Sequence, residues 1–258
     1  MVKSKYLTKC FNEMWKIAVE HLYAFSETHD IEELHRFRIE IKKIFALAAL
    51  QQFNTLNSDF FTCLKPVRTI FLKAGEIRNI QLSLLITKDY SSKNSQLFEL
   101  QHAKLTRLIS EFSLRTDMYI KNLRKAQKFV LRKICDIETC RILSWYEDEV
   151  IKLSQLLVNK KHYQKNIHKA RISIKKLLYV YSILHKTIQK KLRLNKGYLH
   201  RFEESIGKWH DTHITMKILS NLSFVDNETK KMLSSQALKL FKSYSTLSKD
   251  FLEKIVAN

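Results

Sequence analysis

A nine-residue block occurs twice in this chain, and the repeat constrains its fold more than any other feature. Residues 35–43 read HRFRIEIKK and residues 168–176 read HKARISIKK, with six of nine positions identical. The two copies begin 133 positions apart (168 − 35), about half of the 258 residues. Recurrence at a long, regular spacing is typical of repeated structural units. We therefore expect two similar halves whose equivalent residues face the same ligand.

Two of the three glycines also fall at matching positions. Gly75 lies 40 residues after the first block begins, and Gly207 lies 39 residues after the second begins. A glycine inside a helix costs about 1 kcal/mol relative to alanine, so we expect neighbouring helices to approach closely at both positions. Arg78 and His210 each follow a glycine by three residues, and both are candidate cationic donors.

Composition and periodicity both favour long helices. Three glycines and one proline leave few residues suited to tight turns. Apolar residues recur at helical spacing, and no alternating run typical of a strand stands out. The pattern predicts an all-α protein with four helices in each half, forming two pseudo-symmetric antiparallel four-helix bundles. The halves span about 1–128 and about 129–258 of a single domain, residues 1–258.

Several helix ends can be predicted from local signals. Asp30 with Glu33 indicates a capping box at the start of the second helix. Pro66 is expected to interrupt or restart the third helix. The polar residues 91–95 are expected to form a loop, and Asp226 or Asn227 is expected to cap the last helix. The predicted helices that follow this loop run to about Lys128 and then over about 131–158, 161–186, 195–221 and 226–256.

The charge balance points to an anionic partner. Lysine and arginine total 46 against 25 aspartate and glutamate, a formal net charge of +21. Such an excess repels itself, so a polyanion is the expected partner. Nucleic acid, an anionic membrane and inorganic polyphosphate all satisfy this argument. Membrane contact is the weakest of these, because the apolar faces are needed to close the bundles.

The longest apolar run, 44–50, is too short to cross a bilayer, and no N-terminal signal is visible, so we expect a soluble intracellular protein.

The cations of each block share one side of a helix. At about 100° per residue, the histidine, arginine and first lysine of each copy line up, with the second lysine beside them. Each row extends roughly 12 Å along the helix, which suits a linear anion. Like charges one turn apart weaken a bare helix, so a ligand is expected to supply the missing negative charge. The candidate contacts are His35, Arg38, Lys42, Lys43 and Arg78 in the first half and His168, Arg171, Lys175, Lys176 and His210 in the second.

The two repeated elements resemble the CHAD family, the conserved-histidine α-helical domain. The likeness rests on the duplicated His-x-x-Arg-x-x-x-Lys-Lys block and on the later glycine element, and it covers nearly the whole chain. It implies two pseudo-symmetric four-helix bundles that bind inorganic polyphosphate along a basic surface and channel between the halves. It also implies that the eight residues of the two blocks contact the ligand, with Arg78 and His210 as second-tier contacts. Some members of the family associate with polyphosphate granules.

The chain departs from the family pattern at several positions. The family usually favours arginine at the paired basic positions and often a further basic residue two positions on. Here the pair is Lys-Lys in both blocks, and Phe45 and Leu178 occupy the further positions. The glycine element continues with Arg-Asn in one half and His-Asp in the other. Fewer bidentate guanidinium contacts predict weaker or more salt-sensitive binding.

Two other functions compete with polyphosphate binding. His210, Asp211 and His213, with His162 and His168 upstream, resemble the ligand set of helical HD-type metal phosphohydrolases. Sequence-independent nucleic-acid binding would use the same phosphate electrostatics. The first half lacks the metal-binding pair, and the aromatic residues follow core spacing, so neither alternative is preferred. We expect a non-catalytic, cytoplasmic polyphosphate-binding protein with no metal or other cofactor, associated in some settings with polyphosphate granules.

Overall fold

The computed structural model describes residues 1–55, 59–88, 95–158, 163–220 and 227–256. Within these ranges the chain is all-α, as predicted, and the only β-type pairings are two isolated bridges, Val2–Ile137 and Leu194–Val256. No helix in this part of the chain combines the length and apolar character needed to cross a membrane. The helices are α1 (Ser4–Thr28), α2 (Ile31–Thr55), α3 (Phe60–Thr87), α4 (Ser95–Ser113), α5 (Thr116–Leu131), α6 (Thr139–Val158), α7 (Tyr163–Ile183), α8 (Lys186–Leu192), α9 (Lys196–Ser220), α10 (Asn227–Ser248) and α11 (Phe251–Lys254).

The helices of each half pack on one another, and α2, α3, α7 and α9 join the halves. In the first half α1, α2, α3 and α5 form a closed ring of packed neighbours. In the second half α6, α7, α9 and α10 pack in chain order. Between the halves, α2 packs against α7 and α3 against α9. The helices that carry the two cationic blocks are therefore direct neighbours. The pseudo-symmetry of the two bundles stays a prediction.

The same burial pattern orients α2 and α7. The apolar residues of each block recur every three or four positions and are inaccessible to solvent. On α2 they are Leu34, Phe37, Ile41 and Ile44, and at the equivalent positions of α7 they are Ile167, Ala170, Ile174 and Leu177. Burial of a large apolar side chain contributes about 1.5–3 kcal/mol. This apolar face fixes the rotation of each helix and so the direction in which its cations point.

Three predicted features of the first half need correction. Asp30 does cap α2, but its carboxylate accepts from Glu32 N at 2.9 Å, and the Glu33 carboxylate binds His21 and Arg36 in place of the reciprocal capping bond. Pro66 lies inside an unbroken α3, on an exposed face where water can reach the carbonyl that loses its partner. The single helix predicted to end near residue 128 is two helices, which meet at a turn at residues 114–115.

The second half also differs from the predicted bounds. Residues 132–138 precede α6 and are not helical, because long-range hydrogen bonds hold them in place. Val2 and Ile137 exchange main-chain hydrogen bonds of 2.8 and 2.9 Å, and Asp136 accepts from Ser4 N at 2.7 Å. The short α8 was not predicted, and the last predicted helix divides into α10 and α11 at Asp250, which has a left-handed backbone. Asn227 is the first residue of α10, and Asp226 and residues 91–94 of the predicted loop lie outside the described ranges.

Candidate anion-binding site

The two cationic blocks meet where α2 packs against α7. Lys42 is within electrostatic reach of Lys175 and Arg171, and Arg38 is within reach of Arg171. The helix ends are matched in the same way, since His35 is close to Lys175 and His168 is close to Lys42. These interactions link cations of both blocks across the contact between α2 and α7. We call the following set the central cluster: His35, Arg38, Lys42, Arg78, His168, Arg171, Lys175 and His210.

Gly75 provides the space in which Arg38 lies. The Arg38 guanidinium stacks on the Phe71 ring, 4.0 Å from its centroid, and donates to the Phe71 carbonyl. A Cβ atom at position 75 would overlap Arg38 Nη1. Gly207 has the same role in the second half, where a Cβ would lie 3.0 Å from Arg171 Nη2. An arginine side chain from the neighbouring helix thus occupies the space that each glycine leaves.

The partners of the cations differ between the halves. Position 203 lies four residues before its glycine, as position 71 does, and it holds a glutamate where the first half has Phe71. The Glu203 carboxylate accepts from Arg171 Nε at 2.9 Å and pairs with Lys175 Nζ at 3.0 Å. Among the described residues, neither Arg38 nor Lys42 has a carboxylate at ion-pairing distance. The charges of Arg171 and Lys175 are thus partly neutralised by Glu203. In the first half, Arg38 contacts the Phe71 ring and carbonyl, which carry no formal charge.

This environment lowers the pKa of the first-half cations. Burial, followed by the positive charges of Arg38, Lys175 and Arg171, lowers the pKa of Lys42 to about 7. Burial and the charges of Arg78 and Arg171 lower the pKa of Arg38 to about 10. A bound anion would reverse both effects by stabilising the charged forms. Anion binding would therefore offset part of the cost of burying these cations close to one another.

The pKa values of His168 and His35 are lowered, which favours their neutral form. Desolvation, then His210, Arg171 and Lys42, lowers the pKa of His168 to about 4. Desolvation and Arg78 lower the pKa of His35, partly opposed by Glu32. The His168 ring stacks on the His210 ring with centroids 4.7 Å apart. Neutral imidazoles can donate hydrogen bonds to an anion, and they gain charge when an anion lies close.

Arg78 and His210 occupy matching places beside the two histidines. Arg78 pairs with the Glu32 carboxylate at 3.6 Å and donates to Gln81. His210 Nδ1 lies 3.4 Å from the carboxylate of Asp211. Both side chains are about one-fifth exposed, at 19% and 18%, so an anion at the cluster can reach them.

Lys43 and Lys176 make other contacts. Lys43 pairs with Glu40 at 2.6 Å, and Lys176 pairs with Glu149 of α6. Both glutamates are almost fully buried. Lys176 also lines an open groove of about 510 Å³ between α6 and α7, together with Glu149 and Lys169. The structure therefore gives eight of the ten predicted residues a place in the central cluster and gives these two lysines separate partners.

The residues proposed for a metal site do not converge in the described part of the chain. The His210 ring stacks on His168, whereas the His213 ring stacks on Trp209 with centroids 5.1 Å apart. No group of three or more histidine, cysteine, aspartate or glutamate side chains within the described ranges could hold a metal ion. His162 lies outside these ranges.

Sequence reasoning missed Phe71, Glu203 and Glu32. Phe71 and Glu203 each lie one helical turn before a glycine and so on the same helix face. The spacing from the repeated glycines could have placed both beside a glycine, but it does not give the cations that they contact. The reach of Glu32 to Arg78 depends on how α2 packs against α3, which sequence spacing does not give.

Comparison with known proteins supports the fold. No family model matches the sequence, and neither does any curated protein. A solved structure, the crystal structure of the CHAD domain from the plant Ricinus communis, matches with a TM-score of 0.71 at 13% sequence identity. The match covers 98% of this chain and 90% of that chain. The chain therefore has a CHAD-like fold, in agreement with the resemblance in its sequence.

Proposed function

On the premise of a CHAD-like fold, we propose that this chain is a non-catalytic module that binds inorganic polyphosphate at the central cluster. The observation that carries the proposal is the convergence of two cationic rows, one from α2 and one from α7, on one site. An extended anion has negative charge at many points along its length and can neutralise both rows at once. Polyphosphate granules in the cytoplasm are the expected location of the bound protein.

The physical basis of binding is ion pairing together with release of counterions from the polyanion. By analogy with nucleic acids, the logarithm of the affinity should fall linearly with the logarithm of the salt concentration. Nucleic acid satisfies the same electrostatics but gains from stacking of its bases on exposed aromatic side chains. Trp145 and Trp209 are buried in the core, and Tyr179 is partly buried. Burial of these three rings favours polyphosphate over DNA, whereas Tyr23, Phe61 and Phe129 are exposed on α1, α3 and α5.

The test is a competition between long-chain polyphosphate and DNA of equal phosphate concentration at physiological salt. It compares the natural chain with a variant in which the four central cations, Arg38, Lys42, Arg171 and Lys175, are changed to alanine. We expect polyphosphate to displace DNA from the natural chain and the variant to lose most of its affinity for polyphosphate.

A matched control removes the same charge elsewhere. Four exposed lysines on and just after α10 can be changed to alanine, namely Lys231, Lys239, Lys242 and Lys249. This control should bind polyphosphate nearly as well as the natural chain. Preference for DNA would overturn the proposed ligand, and equal losses in both variants would show that only the net charge matters.

A further inference from the structure

We propose that Glu203 is a built-in competitor for the anion at the central cluster, so that it limits affinity and makes the first-half cations the primary contact. This inference rests on the proposed function, because the competition is with the same ligand. Glu203 is held by Arg171 at 2.9 Å and by Lys175 at 3.0 Å, and its side chain is only 15% exposed. A carboxylate bridging two cations occupies donor positions that a phosphate would otherwise use.

Glu203 also acts across the boundary between the halves. Within the described ranges, it is the carboxylate that raises the pKa of Lys42 against the effect of three neighbouring cations. Burial tends to raise the pKa of Glu203 itself, but Lys175 and Arg171 outweigh burial and lower it. The carboxylate is therefore ionised at neutral pH. An arriving anion must displace it from its cations or remain beside a like charge, and both cost binding energy.

At the equivalent position in the first half, Phe71 takes the place of the competing carboxylate. Phe71 supports Arg38 by ring stacking at 4.0 Å and faces Lys42 at 6.0 Å, without adding negative charge. A ring orients the cations and leaves their charge available to a ligand. The chain thus combines one neutral support and one anionic support at matching positions, which makes the two halves unequal in their attraction for an anion.

The experiment replaces Glu203 with a neutral isostere and uses its neighbour as a control. Glu203→Gln removes one negative charge from the cluster, whereas Glu204→Gln removes the same charge from an exposed side chain that pairs with Lys208 at 2.8 Å. We expect Glu203→Gln to bind long-chain polyphosphate about tenfold more tightly than the natural chain, a gain of about 1.4 kcal/mol. Glu204→Gln should change the affinity by less than about twofold, as surface charges do.

A reciprocal pair keeps the test valid even if Glu203→Gln folds poorly. Phe71→Glu introduces a carboxylate beside Arg38 and Lys42, and Phe71→Gln removes the same ring without adding charge. We expect Phe71→Glu to bind polyphosphate about tenfold more weakly than Phe71→Gln. Equal affinities in this pair, or natural affinity in a folded Glu203→Gln, would overturn the inference while polyphosphate binding stands. Absence of binding by the natural chain and by Glu203→Gln alike would overturn the proposed function, and the inference would fall with it.

Discussion

At the scale of single residues, the pairing of each glycine with an arginine determines how the central cluster is built. Arg38 and Arg171 cross the helix surface at Gly75 and Gly207, where a side chain would block their path. The glycines cost helix stability, but they bring guanidinium groups from the two halves within electrostatic reach of each other. The third glycine, Gly197, has no comparable crowding, because a Cβ there would meet Arg201 at 3.7 Å, an ordinary contact.

Gly75→Ala should weaken polyphosphate binding while leaving the fold intact. The new methyl group would push Arg38 off the Phe71 ring, and alanine would offset part of any loss through its better helix propensity, about 1 kcal/mol. We expect the dissociation constant to rise about fivefold, or ~1 kcal/mol, with a small change in Tm. Gly197→Ala is the control and should leave binding unchanged. Equal affinities for the two variants would show that the position of Arg38 does not matter.

Lys42 should make binding depend on pH above neutrality. Its pKa is about 7 in the ligand-free protein, and a bound phosphate should raise it toward the ordinary lysine value, roughly 10.4. Binding then takes up a proton between these two values, so the affinity rises as the pH falls from about 10 to about 7. Calorimetry at pH 8 in buffers of different ionisation enthalpy measures this uptake. Lys42→Arg stays charged at pH 8 and should abolish this uptake. Undiminished uptake in that variant would assign the proton to another group.

His168 should add a second, acidic window. Its pKa of about 4 lies below the ordinary value, roughly 6.5, because the ring is desolvated beside other cations. A bound anion raises this pKa, so the affinity should increase as the pH falls from about 6.5 to about 4. Without ligand, the stability of the fold changes in the opposite direction and falls as the pH falls over the same range. The reason is that the unfolded chain binds the proton at a higher pH than the folded protein does. His168→Gln should flatten both profiles, which binding and thermal-unfolding curves at each pH would measure.

At the scale of helices, periodicity predicted the elements that build the site but not their connections. The helices α2, α3, α7 and α9 lie where their apolar spacing places them. The segment 132–138 was missed because tertiary hydrogen bonds, such as Gln51 Nε2 to Cys135 O at 3.0 Å, stabilise it without leaving a local pattern. The interruption predicted at Pro66 was wrong, because an exposed proline can be tolerated inside a long, well-packed helix.

The sequence predicted the cations of the central cluster but not their partners within the protein. Six of the eight predicted residues from the duplicated block lie in the central cluster, because helical spacing fixes which side chains share a face. Partners on neighbouring helices depend on packing, so the bridge from Glu203 to Arg171 and Lys175 required coordinates. The same limit applies to Lys176 and Glu149, which lie on different helices.

The different surroundings of neighbouring lysines predict different consequences of mutation. Lys176 pairs with the nearly buried Glu149, so Lys176→Ala leaves a buried carboxylate without this partner and should destabilise the fold by about 1–3 kcal/mol. Lys175→Ala should instead weaken polyphosphate binding, because Lys175 belongs to the central cluster. Urea unfolding and binding titrations separate the two effects. A larger loss of affinity in folded Lys176→Ala than in Lys175→Ala would return Lys176 to the set of ligand contacts.

At the scale of the whole molecule, charge repulsion links stability to ligand binding. The chain carries a formal charge of +21, and four of its cations are gathered between α2 and α7. A large net charge destabilises the compact state through self-repulsion. A polyanion relieves this repulsion where it is strongest, so it should bind the folded form and raise its stability by mass action.

Added salt should therefore raise the Tm of the free protein and reduce the increase in Tm that polyphosphate gives. Raising KCl from about 0.05 M to about 0.5 M shortens the screening length from roughly 14 Å to roughly 4 Å, so the Tm of the free protein should rise. With a fixed concentration of polyphosphate, the same salt weakens binding and should remove most of the Tm gain that the ligand gives. The variant with alanine at Arg38, Lys42, Arg171 and Lys175 should have a smaller salt response than the lysine control on α10. Thermal unfolding of the three proteins across the salt series measures this difference, and equal salt responses in the two variants would mean that repulsion is spread evenly over the surface.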